Sequence, residues 1–241
     1  MTADVWAQLV RHRTGLGRLL PLGGPRDGAW ITEGAADSVL RRAAAAVRGV
    51  RLGTLRIALA DPDESYEPAV PAPPSALPPG QLRISAEFTA TMDPTAPGVE
   101  PLPTTAARLR QALATAASER LGLTVTEVDL RVTGLDAEEA QAAAPRDDAH
   151  PAAEPTDTDE SRVATAALSV PGVTHLTDTL GRPVHIEAGH GGEDGTLPRR
   201  HVRVEVAVSG RAIDVAKEVR TAVTNALKDT PSVAVLVTRT H

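Results

Sequence analysis

At 241 residues, with 41% apolar and 23% charged side chains, the chain has the length of one or two globular domains with modest cores. Aromatics are only 2% of it (Trp6, Trp30, Tyr66 and Phe88), so those cores must be aliphatic and little is left for stacking bases or sugars. Without cysteine there are no disulfides or thiolate metal sites. The net charge of −6 is concentrated between Asp136 and Glu160, so the rest is near neutral and lacks the basic face of a nucleic-acid binder.

Residues 1–31 read as an N-terminal extension. Met1–Val10 carries no secretory pattern, and no stretch of the chain approaches the about 18 consecutive apolar residues of a membrane span, so a cytoplasmic protein is expected. Gly15–Pro25 is too rich in glycine and proline for a helix. Its leucines have two readings: they fold back on the first domain, or they dock a partner. Leu19, Leu20, Leu22 and Trp30 are therefore a candidate partner-binding surface. On the docking reading, deleting residues 1–30 abolishes partner capture and leaves the domains folded.

A first domain is expected over residues 32–135. Thr32 is a plausible N-cap, and Ala36, Val39, Leu40, Ala43 and Val47 recur at helical spacing up to Gly49. Leu52, Leu55, Ile57 and Leu59 then begin a strand. Residues 68–79 form a proline-rich insertion in which no helix survives, read as a surface loop or flap. Leu82, Ile84, Ala86, Phe88 and Ala90 alternate with polar residues as a half-buried antiparallel strand. Thr104 or Thr105 caps a second helix with the stripe Leu109, Ala112, Leu113, Ala116, Ala117 and Leu121, closed by Gly122. A last strand carries Val128, Leu130 and Val132 on one face.

Residues 136–159 have the composition of a flexible acidic linker. A second domain, 160–241, repeats the order helix, strand, strand, helix, strand. The opening helix again ends in a similar step, Val170-Pro171-Gly172-Val173 after Val47-Arg48-Gly49-Val50. Val184 and Ile186 mark a short strand, and Gly189–Gly195 a glycine-rich hairpin loop. Val202, Val204, Val206 and Val208 alternate with Arg203, Glu205 and Ala207, which predicts a strand buried on one face. Ile213, Ala216, Val219, Val223 and Leu227 mark a helix, and Val233, Val235 and Val237 a closing strand. The fold class expected is α+β: two tandem αββαβ two-layer sandwiches with antiparallel or mixed three-stranded sheets.

No motif carries catalysis. No serine lies in a Gly-x-Ser-x-Gly elbow, and the paired carboxylates Glu138-Glu139 and Asp147-Asp148 lie in the linker, where no rigid scaffold holds them. His185, His190 and His201 surround the glycine-rich loop beside Glu187, Glu193 and Asp194. They are low-prior metal candidates, because their spacing matches no compact ligand motif. They support an alternative reading, a metal- or small-ligand-binding regulatory protein. Gly189–Gly195 lacks the lysine and hydroxyl of a phosphate loop and opens onto a strand rather than a helix.

The blocks Ala164–Val173, His201–Val208, Asp214–Val223 and Val233–Thr238 resemble the alkaline shock protein family of bacterial envelope stress response proteins. The first copy shows the same order in 40–50, 82–90, 107–121 and 128–135, where Val132-Thr133-Gly134-Leu135 stands for the family's closing Val-x-Gly-Val. The whole chain resembles an actinobacterial-type relative with two copies. The resemblance implies a non-enzymatic scaffold with no cofactor, gathered at the inner face of the membrane by a small integral membrane anchor protein. It also implies contacts with other members of the family and self-association. Open sheet edges are the expected contact surfaces.

Overall fold

A computed structural model describes residues 17–91, 100–136, 158–188 and 199–241. Most of the acidic linker, His190 and most of its loop, and Trp6 lie outside the described residues. The described residues open with a hairpin, β1 (Leu19–Leu22) and β2 (Ala29–Thr32), followed by α1 (Glu33–Ala45), β3 (Val50–Leu59), β4 (Leu82–Thr91), α2 (Leu102–Thr115) and β5 (Val125–Asp136). The second half supplies α3 (Thr158–Leu168), β6 (Val173–Leu176), β7 (Val184–Glu187), β8 (His201–Val208), α4 (Ala212–Ala226) and β9 (Ser232–Thr240). Helices and strands in mixed sheets make the fold α+β, as the periodicities predict.

Local chemistry sets several of these ends. Thr32 caps α1 by accepting the Ala35 amide at 3.3 Å. The second helix starts earlier than a threonine cap predicts, because Pro101 occupies its N-cap, and buried Thr105 bonds instead to Glu100. It ends in a π-helical turn, Ala116–Leu121, closed by Gly122 at φ +86°.

The duplication is visible in hydrogen bonds as well as in element order. In the first half β3 runs antiparallel and β5 parallel to the central β4. In the second, β6 and β7 together replace β3, antiparallel to β8, and β9 is parallel to β8. Each parallel strand bulges at a matching threonine, Thr133 or Thr238, which the register skips, and β5 also skips Thr126. Each hydroxyl donates at 3.3 Å to a central-strand carbonyl, that of Phe88 or Val206. Each opening turn holds a glycine at positive φ, Gly49 or Gly172, whose carbonyl accepts from Thr91 or Ser209.

The two halves do not stand apart. The inner faces of both sheets and all four helices share one core, from Leu40, Ile84 and Phe88 to Val204, Val219 and Val235. α1 packs against both β3 and β9. At Gly122 a Cβ would stand 2.1 Å from the Ile213 side chain, so only glycine lets α4 approach this turn. The Gly122 carbonyl accepts from Gly23, and the Arg211 guanidinium donates to the Ser118 carbonyl at 3.2 Å.

The second sheet corrects the expectation of three strands on each side. It has six, because the unexpected strand β6 is added and the N-terminal hairpin joins: β2 pairs in parallel with β9, and β1 pairs with β2. A smaller core covers its outer face, where Val70 and Ala76 of the proline-rich insertion pack with Leu180 on Leu19, Trp30, Ala234 and Leu236. The insertion is thus a strap rather than a loose flap. The outer side of β8 is largely buried as well. Glu205 and Ala207, expected to face water, are 0% exposed.

Candidate interaction surface

Leu19, Leu20, Leu22 and Trp30 do not form a docking surface. All four are at most 1% exposed. They fold back, but onto the sheet of the second half. Burying them contributes about 1.5–3 kcal/mol for each leucine and more for the indole. β2 satisfies the outward groups of β9, including the Val235 amide, which donates to the Gly28 carbonyl at 2.9 Å. The hairpin therefore closes one sheet edge instead of advertising one. The other side of β1 is partly closed as well, since Leu19 bridges Ala76 and its carbonyl accepts from Leu77.

The equivalent edge in the first half is open. The matching registers make Val128, Leu130 and Val132 of β5 the counterparts of Val233, Val235 and Val237 of β9. In β9 the pairing runs Ala29 with Val235, Trp30 with Leu236 and Ile31 with Val237. In β5 no strand among the described residues occupies that side. One side chain reaches it: Arg110 donates to the Val128 carbonyl at 3.0 Å. This bond also shows which peptide groups face outward. Val237 is 0% exposed, whereas its counterpart Val132 is 38% exposed, and Leu135 beyond the bulge is 59% exposed. An apolar side chain and a ladder of unpaired peptide groups at one sheet edge invite strand addition.

The outer face of the three-stranded sheet is also uncovered among the described residues. Arg56, Ser85, Glu87, Asp129 and Arg131 line a shallow groove of about 240 Å³. Its charges balance locally. Arg83 pairs with Glu127 and, at 3.7 Å, with Asp129, and Arg131 lies 3.9 Å from Glu87. Such exposed pairs are individually weak.

Glu87 and Glu205 are equivalent residues with opposite surroundings. The residues between β6 and β7 curl over Glu205, whose carboxylate accepts from the Leu180 amide at 3.0 Å. Arg203 approaches its other oxygen at 4.0 Å, outside hydrogen-bond reach. Burial pushes the Glu205 carboxyl up to about 7, against the lowering effect of the Leu180 amide and Arg203. Sequence reasoning missed this residue, because alternation assigned it to water.

Of the candidate histidines, His190 lies outside the described residues, and His185 and His201 both flank Glu187. His185 hydrogen-bonds Glu187 at 2.8 Å on an exposed strand. His201, opposite Glu187 in register, contacts the Ser232 hydroxyl at 3.0 Å, and burial lowers its pKa. Among the described residues no three histidines or carboxylates form a metal-binding group. No helix among them is long and apolar enough to cross a membrane.

A scan against protein-family models and a search of curated proteins find no match for this chain.

Proposed function

We propose that this protein is a non-enzymatic interaction scaffold of the envelope stress response, working through protein–protein contacts at the cytoplasmic face of the membrane. The observation that carries the scaffold reading is the unequal fate of equivalent edges: β9 holds a parallel strand, and β5 holds none among the described residues. The internal β2–β9 pair is a worked example of the contact that β5 can accept. The envelope class, the integral membrane anchor and the related partners rest on the resemblance of the repeats to alkaline shock proteins.

The test is a tagged pull-down from gently lysed native cells, with membrane and soluble fractions kept apart. Wild type is compared with Leu130→Pro, which removes an outward amide from the edge. The expected result is recovery in the membrane fraction with a small integral membrane protein, lost in the variant. Recovery alone in the soluble fraction would overturn the reading.

A further inference from the structure

Resting on β5 as the contact edge, we infer that its partner strand is the β5 of a second copy of this chain, paired antiparallel about a two-fold axis at Leu130. Three features of the strand point to this occupant. The first is its extent. The register skips Thr126 and Thr133, so the regular stretch is Glu127–Val132, centred between Asp129 and Leu130. A bulge ends regular pairing, so the added strand must match this stretch.

The second is hydrogen-bond phase. Val128, Leu130 and Val132 turn their peptide groups outward, as the Arg110 contact to Val128 and the β9 counterparts show. An antiparallel partner must set outward groups against outward groups. Axes through a residue satisfy this, and axes between residues do not.

The third is charge, which selects among the remaining registers. An axis at Val128 sets Glu127 against Asp129 of the second copy, twice. An axis at Asp129 or at Arg131 sets that residue against its own copy. With the axis at Leu130, Arg131 faces Asp129 of the second copy on both sides of the two-fold, and no like charges meet. Val132, exposed here, then lies against Val128, and Leu130 against itself. Opposite charges directly across a strand pair are favourable and like charges are not. A self-complementary patch of this kind is what a closed two-fold dimer requires. Arg110 must release the Val128 carbonyl, a contact at the protein surface that the incoming amide replaces.

The experiment is sedimentation equilibrium of the full chain at micromolar to 0.1 millimolar concentrations, with Arg131→Asp, Asp129→Arg and an equimolar mixture of the two. The side chains of both residues are mostly exposed, so the folded chain tolerates either change; circular dichroism checks this. The expected result is a wild-type dimer, at least tenfold weaker self-association in each variant alone, and dimers restored in the mixture, where two aspartates face two arginines. A monomeric wild type, or a dimer that neither variant weakens, would overturn the inference. The scaffold reading would survive either of these if the pull-down still recovers the membrane partner, so the two failures are distinguishable.

Discussion

Glu205 makes the stability of this protein fall as pH rises through neutrality. An ordinary glutamate releases its proton near 4.5, and burial moves Glu205 to about 7. Between these values the folded chain holds a proton that the unfolded chain has lost, so stability falls as pH rises. At about 1.4 kcal/mol for each tenfold step the gap amounts to roughly 3 kcal/mol, full at the acid end and gone above about pH 8. His175 and His201 act the other way. Burial lowers both, so the stability they contribute is present above their unfolded value of 6.5 and lost as pH falls. Asp159 and Asp229, lowered by their bonds to Arg200, titrate below 3.8 and stay outside this window. Glu205→Gln isolates the contribution, since the amide imitates the neutral acid. Urea unfolding followed by circular dichroism should find the variant close to wild type at pH 5 and up to about 3 kcal/mol more stable at pH 8. Its residual slope should carry the histidine sign, rising with pH. A variant less stable than wild type at pH 8 would refute the reasoning, because Arg203 would then be holding a stabilising carboxylate.

Four further substitutions and one deletion test the packing. Gly122→Ala should cost at least about 2 kcal/mol, from a left-handed backbone and overlap with Ile213, and urea unfolding giving a loss under 1 kcal/mol would contradict it. Leu20→Ala should cost about 2–5 kcal/mol by the same measurement, and removal of residues 1–30 should unfold the second half rather than merely abolish partner capture. Thr238→Val should cost about 1–3 kcal/mol, because Thr177, 2.6 Å from the Thr238 hydroxyl, loses its partner in a buried site. Thr133→Val at the matching exposed bulge should cost less than about 1 kcal/mol, and equal losses at the two sites would show that burial is not what separates them.

The element order was legible in the sequence because helical and strand periods are local. Leu82–Ala90 alternates because one face of β4 meets helices and the other meets water, and the structure keeps that division. The same alternation in Val202–Val208 misled, since the residues between β6 and β7 curl over Glu205 on the second face of β8. A residue's neighbours in sequence set its face, but they do not say whether a strap will lie over it. The N-terminal leucines illustrate the same limit. Their apolarity marked them as covered by something, and only the register of β2 on β9 identifies the cover as this chain's own sheet. The open edge of β5 was equally invisible as a site, because Val128, Leu130 and Val132 read the same whether or not a strand lies beside them.

The comparison of the two copies is what singles out β5 as the proposed contact surface. Both halves start from one unit with the same bulge, the same glycine turn and the same central glutamate. In the second half three elements have acquired a cover: β2 lies on the β9 edge, the proline-rich strap on the outer face at Trp30, and the residues between β6 and β7 over Glu205. In the first half the matching edge, face and glutamate remain uncovered among the described residues, and the side chains differ accordingly. Leu236 in the closed half corresponds to Arg131 in the open half, and Ala234 to Asp129. The substitutions replace apolar residues that need a cover with charges that tolerate water and discriminate among registers. Exposure to water alone asks only for polar residues there, whereas the order Asp129-Leu130-Arg131 also sets opposite charges across a two-fold strand pair. The charge-reversal mixture tests that arrangement directly, because it restores pairing without restoring either natural side chain.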